Sequence, residues 1–265
     1  MRRFLHILYY LFIFIFLTAL TQIGGVVFLI SLYIAKSITK RFRGKLIAVF
    51  IPTYLIFTFV IIPFSAPQFG RAKVAYAKPA NYATVLLNRN YVNPEINTVL
   101  RRLGGTLRRE DPDLYLYFLD ANFPFFDGFP LPPHLSHNDG KKLDLSLVYE
   151  THDGKISNKQ KSFSGYGVFE GPKNGEQDQI AQCKAAGYFQ YDFPKYLTFG
   201  EINTDLRFSE RGTKLVIQEI LKFDQIGKIF IEPHLKQRLN LEDPKIRYHG
   251  CRAVRHDDHI HIQLK

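Results

Sequence analysis

The chain has 265 residues, 46% of them hydrophobic and 15% aromatic, with two cysteines and a formal net charge of +11. Such a length suits one good-sized domain plus a membrane anchor, or two small domains. Seven of the positive charges fall in residues 1–66, which hold no acidic residue, leaving only +4 for the rest; this excludes reading the charge as a nucleic-acid footprint and makes it mainly a membrane-topology signal.

Residues 4–35 contain no Lys, Arg, Asp or Glu, and residues 46–64 form a second apolar run. About 20 apolar residues suffice to cross a bilayer. Both runs exceed the apolar core of a signal peptide, and no small-residue cleavage site cleanly follows the first. Two transmembrane helices are therefore expected. The loop between them, KSITKRFRGK, carries five basic residues against Arg2 and Arg3 at the N-terminus. Basic loops are kept in the cytoplasm, which predicts that the N-terminus and the C-terminal part both face outward. After Phe64, Pro, Gly, Ala and Lys replace the apolar run. The expected organisation is an anchor over residues 1–66, a tether over 67–80 and an extracytoplasmic domain over 81–265.

In that domain PEINTVLRRLGGTLRRE (94–110) reads as a helix opened by Pro94 and weakened or broken at Gly104 and Gly105. Residues 114–123 have the aromatic and aliphatic content of a strand. In KKLDLSLVYE, Leu143, Leu145 and Leu147 alternate with Lys142, Asp144 and Ser146, predicting a strand with one core face and one face open to chemistry. Residues 151–174 are polar and rich in Gly and Ser, as a long surface loop would be. A helix should follow Ser209 as N-cap and close at Gly227, with a strand over 228–235. In DHIHIQL, His259, His261 and Gln263 share one strand face and Ile260, Ile262 and Leu264 the other. Strands interrupted by helices without a regular βαβ period predict an α+β fold, with a small central antiparallel sheet and flanking helices. Cys183 and Cys251 both lie in the outward part, where an oxidising compartment allows a disulfide; two unrelated buried thiols fit the sequence equally well.

Catalytic zinc commonly takes three ligands from His, Asp and Glu and keeps a fourth position for water. His259 and His261 point to one side of a strand, and Asp144 on the open face of another strand can meet them. His137 precedes that strand, with Gly140 supplying a turn. The structural alternative is a half-exposed histidine strand, an Asp144–Lys142 ion pair and a loop histidine. His134, His152, His234 and His249 are assigned to that plain class.

SHNDGKKLD and HDDHIH resemble the SHxxGxxxD and HDxHxH motifs of penicillin-insensitive murein endopeptidases, within the zinc peptidases related to lysostaphin, D-alanyl-D-alanine peptidases and the hedgehog signalling domain. The resemblance implies that His137, Asp144 and His261 hold zinc, that His259 is a catalytic histidine outside the ligand set, and that His256 supports it. In the dipeptidase branch a glutamate stands three residues before HxH. Here that place is His256, which favours the endopeptidase branch. The match covers about a tenth of the chain directly, and the membrane spans depart from that secreted family.

The expected protein is a membrane-anchored zinc peptidase with its C-terminal domain outside the cytoplasmic membrane, acting on peptidoglycan or its peptide stems. Arg102 or Arg109 is a candidate for the oxyanion site. The alternatives are a catalytically inactive zinc-binding receptor or scaffold of the same fold, and a membrane protein whose basic outward face binds anionic lipid or polymer.

Overall fold

The computed structural model describes residues 2–38 and 44–265; of the basic loop, Lys40, Arg41 and Arg43 lie outside the described residues. The chain forms two compact units, each assembled from separated stretches. The first comprises Met1–Lys73, Ala83–Pro94 and Asn122–Gly140; the second comprises Val74–Tyr82, Glu95–Ala121 and Lys141–Lys265. The units divide at neither residue 66 nor residue 80. Two stretches expected in the outward domain group instead with the apolar helices.

In the first unit the run over 4–35 is not one span. It breaks into helices Arg2–Thr21 and Gly24–Ser37, with Gln22 at a positive φ of 66° between them. Gly24 and Gly25 let the second helix fold back on the first: a Cβ on Gly24 would sit 2.9 Å from the Leu17 carbonyl oxygen, and one on Gly25 would sit 2.7 Å from that of Phe14. Farther from the turn, the Tyr10 and Phe28 rings lie 6.0 Å apart. The two helices form a hairpin, so the N-terminal end returns to the same end as Ser37 and the basic loop. This corrects the expectation that the N-terminus and the loop lie on opposite sides.

The second run is helical throughout Lys45–Phe69, long and apolar enough to cross a membrane, as is Arg3–Thr21. It pairs with the second helix through Phe50 and Phe28. Ile23, Val27, Ile62, Ala66 and Tyr91 form a buried cluster, with Phe50, Tyr54, Phe57 and Phe125 packed against it. The Tyr54 hydroxyl donates to the Leu86 carbonyl at 2.7 Å, and the Phe125 N–H donates to Gln22 Oε1 at 3.0 Å. The expected tether is therefore ordered where it starts: Ala72–Lys73 pairs antiparallel with Tyr91–Val92. Gly140 makes the predicted turn at a φ of 76°. A Cβ there would fall 2.5 Å from the Arg71 guanidinium, which would have to shift to admit one.

The second unit is built on a larger sheet than expected. Among the described residues six strands lie in the order Ile246–Arg247, Ile226–Phe230, His259–Leu264, Lys142–Ser146, Tyr117–Asp120 and Lys78–Pro79. The inner pairings are antiparallel and the two outermost parallel, giving a mixed sheet. A three-stranded sheet joins Ile156–Ser157, Tyr149–Glu150 and Arg207–Phe208.

The helix Pro94–Glu110 runs unbroken through Gly104 and Gly105, because Ile96, Val99, Leu100, Leu103 and Leu107 bury one continuous stripe. Each glycine costs about 1 kcal/mol of propensity, while each buried leucine or isoleucine returns about 1.5–3 kcal/mol. Ser209 caps Glu210–Leu221, accepting from the Gly212 N–H at 3.2 Å. That helix ends at Leu221, and Gly227 sits inside a strand, where a Cβ would meet the Lys265 backbone at 3.2 Å. The glycine serves close chain approach rather than a helix stop. The strand expected over 228–235 ends at Phe230, and Pro233 opens a short helix. Cys183 and Cys251 are joined in a disulfide across 68 residues.

Candidate metal centre

Strand pairing assembles the centre in the second unit. His261 pairs directly opposite Asp144 on one neighbouring strand and opposite Phe230 on the other; His259 pairs opposite Ser146. Because side chains alternate, these residues share one face, while Ile260, Ile262, Leu143, Leu145 and Ile229 bury the other. The strand face expected to be open is covered: Asp144, His256, His259 and His261 are all buried.

His261 Nδ1 lies 2.8 Å from Asp144 Oδ1, and His259 Nε2 lies 3.8 Å from the same oxygen. His256, His259 and His261 each offer a nitrogen within 4.8 Å of the others. The His256 and His259 ring centroids are 4.8 Å apart. Burial, reinforced by the neighbouring His259, His261 and His249, pushes His256 well below the usual imidazole pKa and keeps it neutral.

Each member is held by a further partner. The Tyr166 hydroxyl donates to Asp144 Oδ2 at 2.7 Å, and its ring stands edge-on to His259 with centroids 5.1 Å apart. With Oδ2 so engaged, Oδ1 is the oxygen that faces the histidines. Asp258 Oδ1 meets His259 Nδ1 at 2.5 Å, and Asp258 Oδ2 accepts from the Gly167 N–H at 2.6 Å. A carboxylate only accepts, so His259 carries its proton on Nδ1 and turns Nε2, the nitrogen able to act as a base, toward Asp144. This carboxylate–histidine arrangement fixes tautomer and ring orientation in metal sites.

Deeper support comes from Glu232 and Asp257. Glu232 accepts from the His256 N–H at 2.9 Å and from the Tyr191 hydroxyl at 2.7 Å; burial pushes its carboxyl above the usual range. Burial also acts to raise Asp257, but hydrogen bonds from His234 and Arg255 outweigh it and hold that carboxyl low. The Arg255 Nε donates to Asp257 Oδ1 at 2.6 Å.

The donor pair suits zinc: the imidazole nitrogen His261 Nδ1 and the carboxylate oxygen Asp144 Oδ1 lie together, and nitrogen and oxygen ligands bind zinc at about 2.0–2.2 Å. Ligands at that range in a tetrahedron sit roughly 3.3 Å apart, so Asp144 Oδ1 and His261 Nδ1 would spread slightly. The proton shared between them would leave on metal binding.

Of the residues predicted from sequence, Asp144, His256, His259 and His261 come together. His137 belongs to the first unit, where it is buried, its N–H donates to the His134 carbonyl at 2.9 Å and the two rings lie 5.6 Å apart. Arg102 and Arg109 lie on the outer side of their helix, and Arg109 donates to Thr106 Oγ1. The arginine that meets the histidine motif is Arg255, tied to Asp257 and Asp192. His249, assigned to the plain class, packs its ring 4.4 Å from Phe230 and 5.4 Å from His256. His234 is buried and bonded to the Glu170 carbonyl, and His152 is exposed.

Tyr166 and Asp258 escaped sequence reasoning. Tyr166 sits in SFSGYG, within the polar stretch read as surface loop, where Gly165 and Gly167 adopt positive φ. A Cβ on Gly165 would strike the Leu119 side chain at 2.4 Å, and one on Gly167 the Pro194 carbonyl oxygen at 2.4 Å. An aromatic framed by glycines was the available signal that this segment turns inward. Comparison with protein-family models and with curated proteins finds no match for this chain.

Proposed function

We propose that this protein is a membrane-anchored zinc peptidase that hydrolyses peptide bonds of cell-wall peptidoglycan outside the cytoplasmic membrane. The observation that carries the proposal is the convergence of His261 Nδ1 and His259 Nε2 on Asp144 Oδ1, with Tyr166 and Asp258 fixing the two flanking groups. Asp144 and His261 are the proposed ligands in this unit. His137, seven residues before Asp144 in the SHNDGKKLD motif, is proposed as the third on motif spacing. Zinc would supply Lewis acidity and generate a nucleophile from water near neutral pH. His259 Nε2 is the proposed proton carrier, since Asp258 holds its other nitrogen. His256 supports its ring from the adjacent position, and the buried surroundings strengthen each of these interactions.

The outward orientation is supported by charge. The helical hairpin returns Arg2 and Arg3 to the end of the bundle that carries Lys36 and Lys45. Arg2, Arg3, Lys36 and Lys45 then belong to one side, which fits the positive-inside rule better than a division of these four between two sides.

Digestion of purified peptidoglycan by the full chain in detergent, followed by mass analysis of released fragments, tests the proposal. Peptide cleavage dependent on zinc is expected. Bound zinc without any cleavage would favour the receptor or scaffold reading, and absence of bound metal would remove both.

A further inference from the structure

The first unit carries apolar surface beyond its helices. Phe69, at the end of the second long helix, packs edge-on against Phe125 at 5.0 Å and Phe126 at 5.7 Å between ring centroids. Phe126 remains 62% exposed and Phe64, one turn earlier, 82% exposed. The same end of the bundle holds the hairpin turn, since Ile23 packs with Ile62 and Ala66, and Gln22 accepts from the Phe125 N–H. Segment 123–129 is thereby bound to the end of the helical bundle opposite the basic loop.

Helix length fixes the depth of that end. At 1.5 Å per residue, the 25 residues of Lys45–Phe69 extend about 37 Å. The hydrocarbon core is about 30 Å thick. With Lys45 at one boundary, the final turns through Phe69 emerge among the lipid headgroups on the other side. Aromatic side chains concentrate at that level because their rings suit the boundary between acyl chains and water. A polar pair nearby also suits it: Arg71 pairs with the exposed Asp127.

We infer that Phe126, with Phe64 and Phe69, forms a lipid-facing surface seated in the headgroup region of the outer leaflet. Segment 122–140 is then a membrane-interface element rather than a loop of a free soluble domain. His137 lies in that segment. The surface rests on the reading of the two long helices as membrane-crossing, and it is independent of zinc and hydrolysis.

The chain contains no tryptophan, so single substitutions give unambiguous fluorescence reporters. Phe126→Trp and, as a second position, Phe69→Trp are made in the full chain and reconstituted into phosphatidylcholine–phosphatidylglycerol vesicles. Phe12→Trp, within the first helix, reports the span itself. Lipids brominated near the top of the acyl chain should quench Phe126→Trp and Phe69→Trp more than lipids brominated near the methyl end, with emission blue-shifted from that of tryptophan in water. Unshifted, unquenched emission at both positions alongside a quenched Phe12→Trp would overturn the surface while leaving the spans intact. Blue-shifted emission that no brominated lipid quenches would assign the patch to a protein partner, such as a second copy, and overturn it as well. Failure to quench Phe12→Trp would remove both the span and the surface.

Discussion

His261 and Asp144 face one another across paired strands, Nδ1 to Oδ1 at 2.8 Å, because the register sets the two residues directly opposite. Their contact is a property of the sheet, so either partner can be removed without disturbing the Ile260 and Ile262 side that anchors the strands. Asp144→Ala should leave the fold intact and abolish stoichiometric zinc binding, since it removes a proposed ligand. Equilibrium dialysis against zinc with circular dichroism of the same sample checks this; a folded variant with one bound zinc would contradict it.

Tyr166 holds Asp144 Oδ2 with a buried hydroxyl, leaving Oδ1 for the centre. Tyr166→Phe keeps the ring against His259 and deletes that hydrogen bond. Groups that orient metal ligands typically contribute about 10–100-fold in affinity or activity. Competition with a chromophoric chelator should show zinc affinity weakened within that range. An unchanged affinity would make the hydroxyl a bystander.

The Glu176–Arg238 pair predicts an acid-sensitive component of stability. Arg238 hydrogen-bonds Glu176 at 2.6 and 2.9 Å and holds its carboxyl down from 4.5 to about 2. The folded value lies below the unfolded one, so the stabilisation is complete above pH 4.5 and disappears as pH falls toward 2. Glu176→Gln should cost about 1.5–3 kcal/mol, the range for hydrogen bonds to charged groups, near neutral pH. Urea unfolding of both proteins across the acid range should show the difference shrinking to nothing at the low end. A difference that stays constant with pH would exclude the charge as its source.

Cys183 and Cys251 close a loop of 68 residues, joining the helix Gln179–Ala185 to the segment just before the histidine motif. In the chain-entropy account, closing a loop of that size contributes about 4 kcal/mol. The Cys183→Ser/Cys251→Ser double variant should therefore melt at a midpoint lower by roughly 10 °C. Thiol titration of the denatured, unreduced wild type should find neither cysteine reactive.

Much of the centre was legible because period-2 alternation assigns a strand's faces without knowledge of its neighbours. Asp144, His259 and His261 could be set on chemical faces from spacing alone, and the sheet register then joined them. What spacing could not reveal was long-range: that the strands belong to a six-stranded mixed sheet, and that an inward turn at Gly165 and Gly167 brings Tyr166 to Asp144. The hairpin at Gln22 was hidden because the residues on both sides are equally apolar, so hydropathy shows one continuous run where the backbone reverses. Segment 122–140 looked soluble because its proline and glycine content masked the phenylalanines that dock on the helices. His249 was passed over because no periodicity ties it to the strand it packs against.

The central claim is that two histidines on one strand face play different parts. Zinc content and peptidoglycan hydrolysis should be measured together on full-length His261→Ala and His259→Ala. His261→Ala should lose both, as removal of a ligand requires. His259→Ala should keep about one zinc per chain while hydrolysis falls by roughly a hundredfold or more, the scale of a lost acid–base group. Zinc lost from His259→Ala but retained by His261→Ala would invert the ligand assignment, and both variants retaining zinc and full hydrolysis would contradict the account.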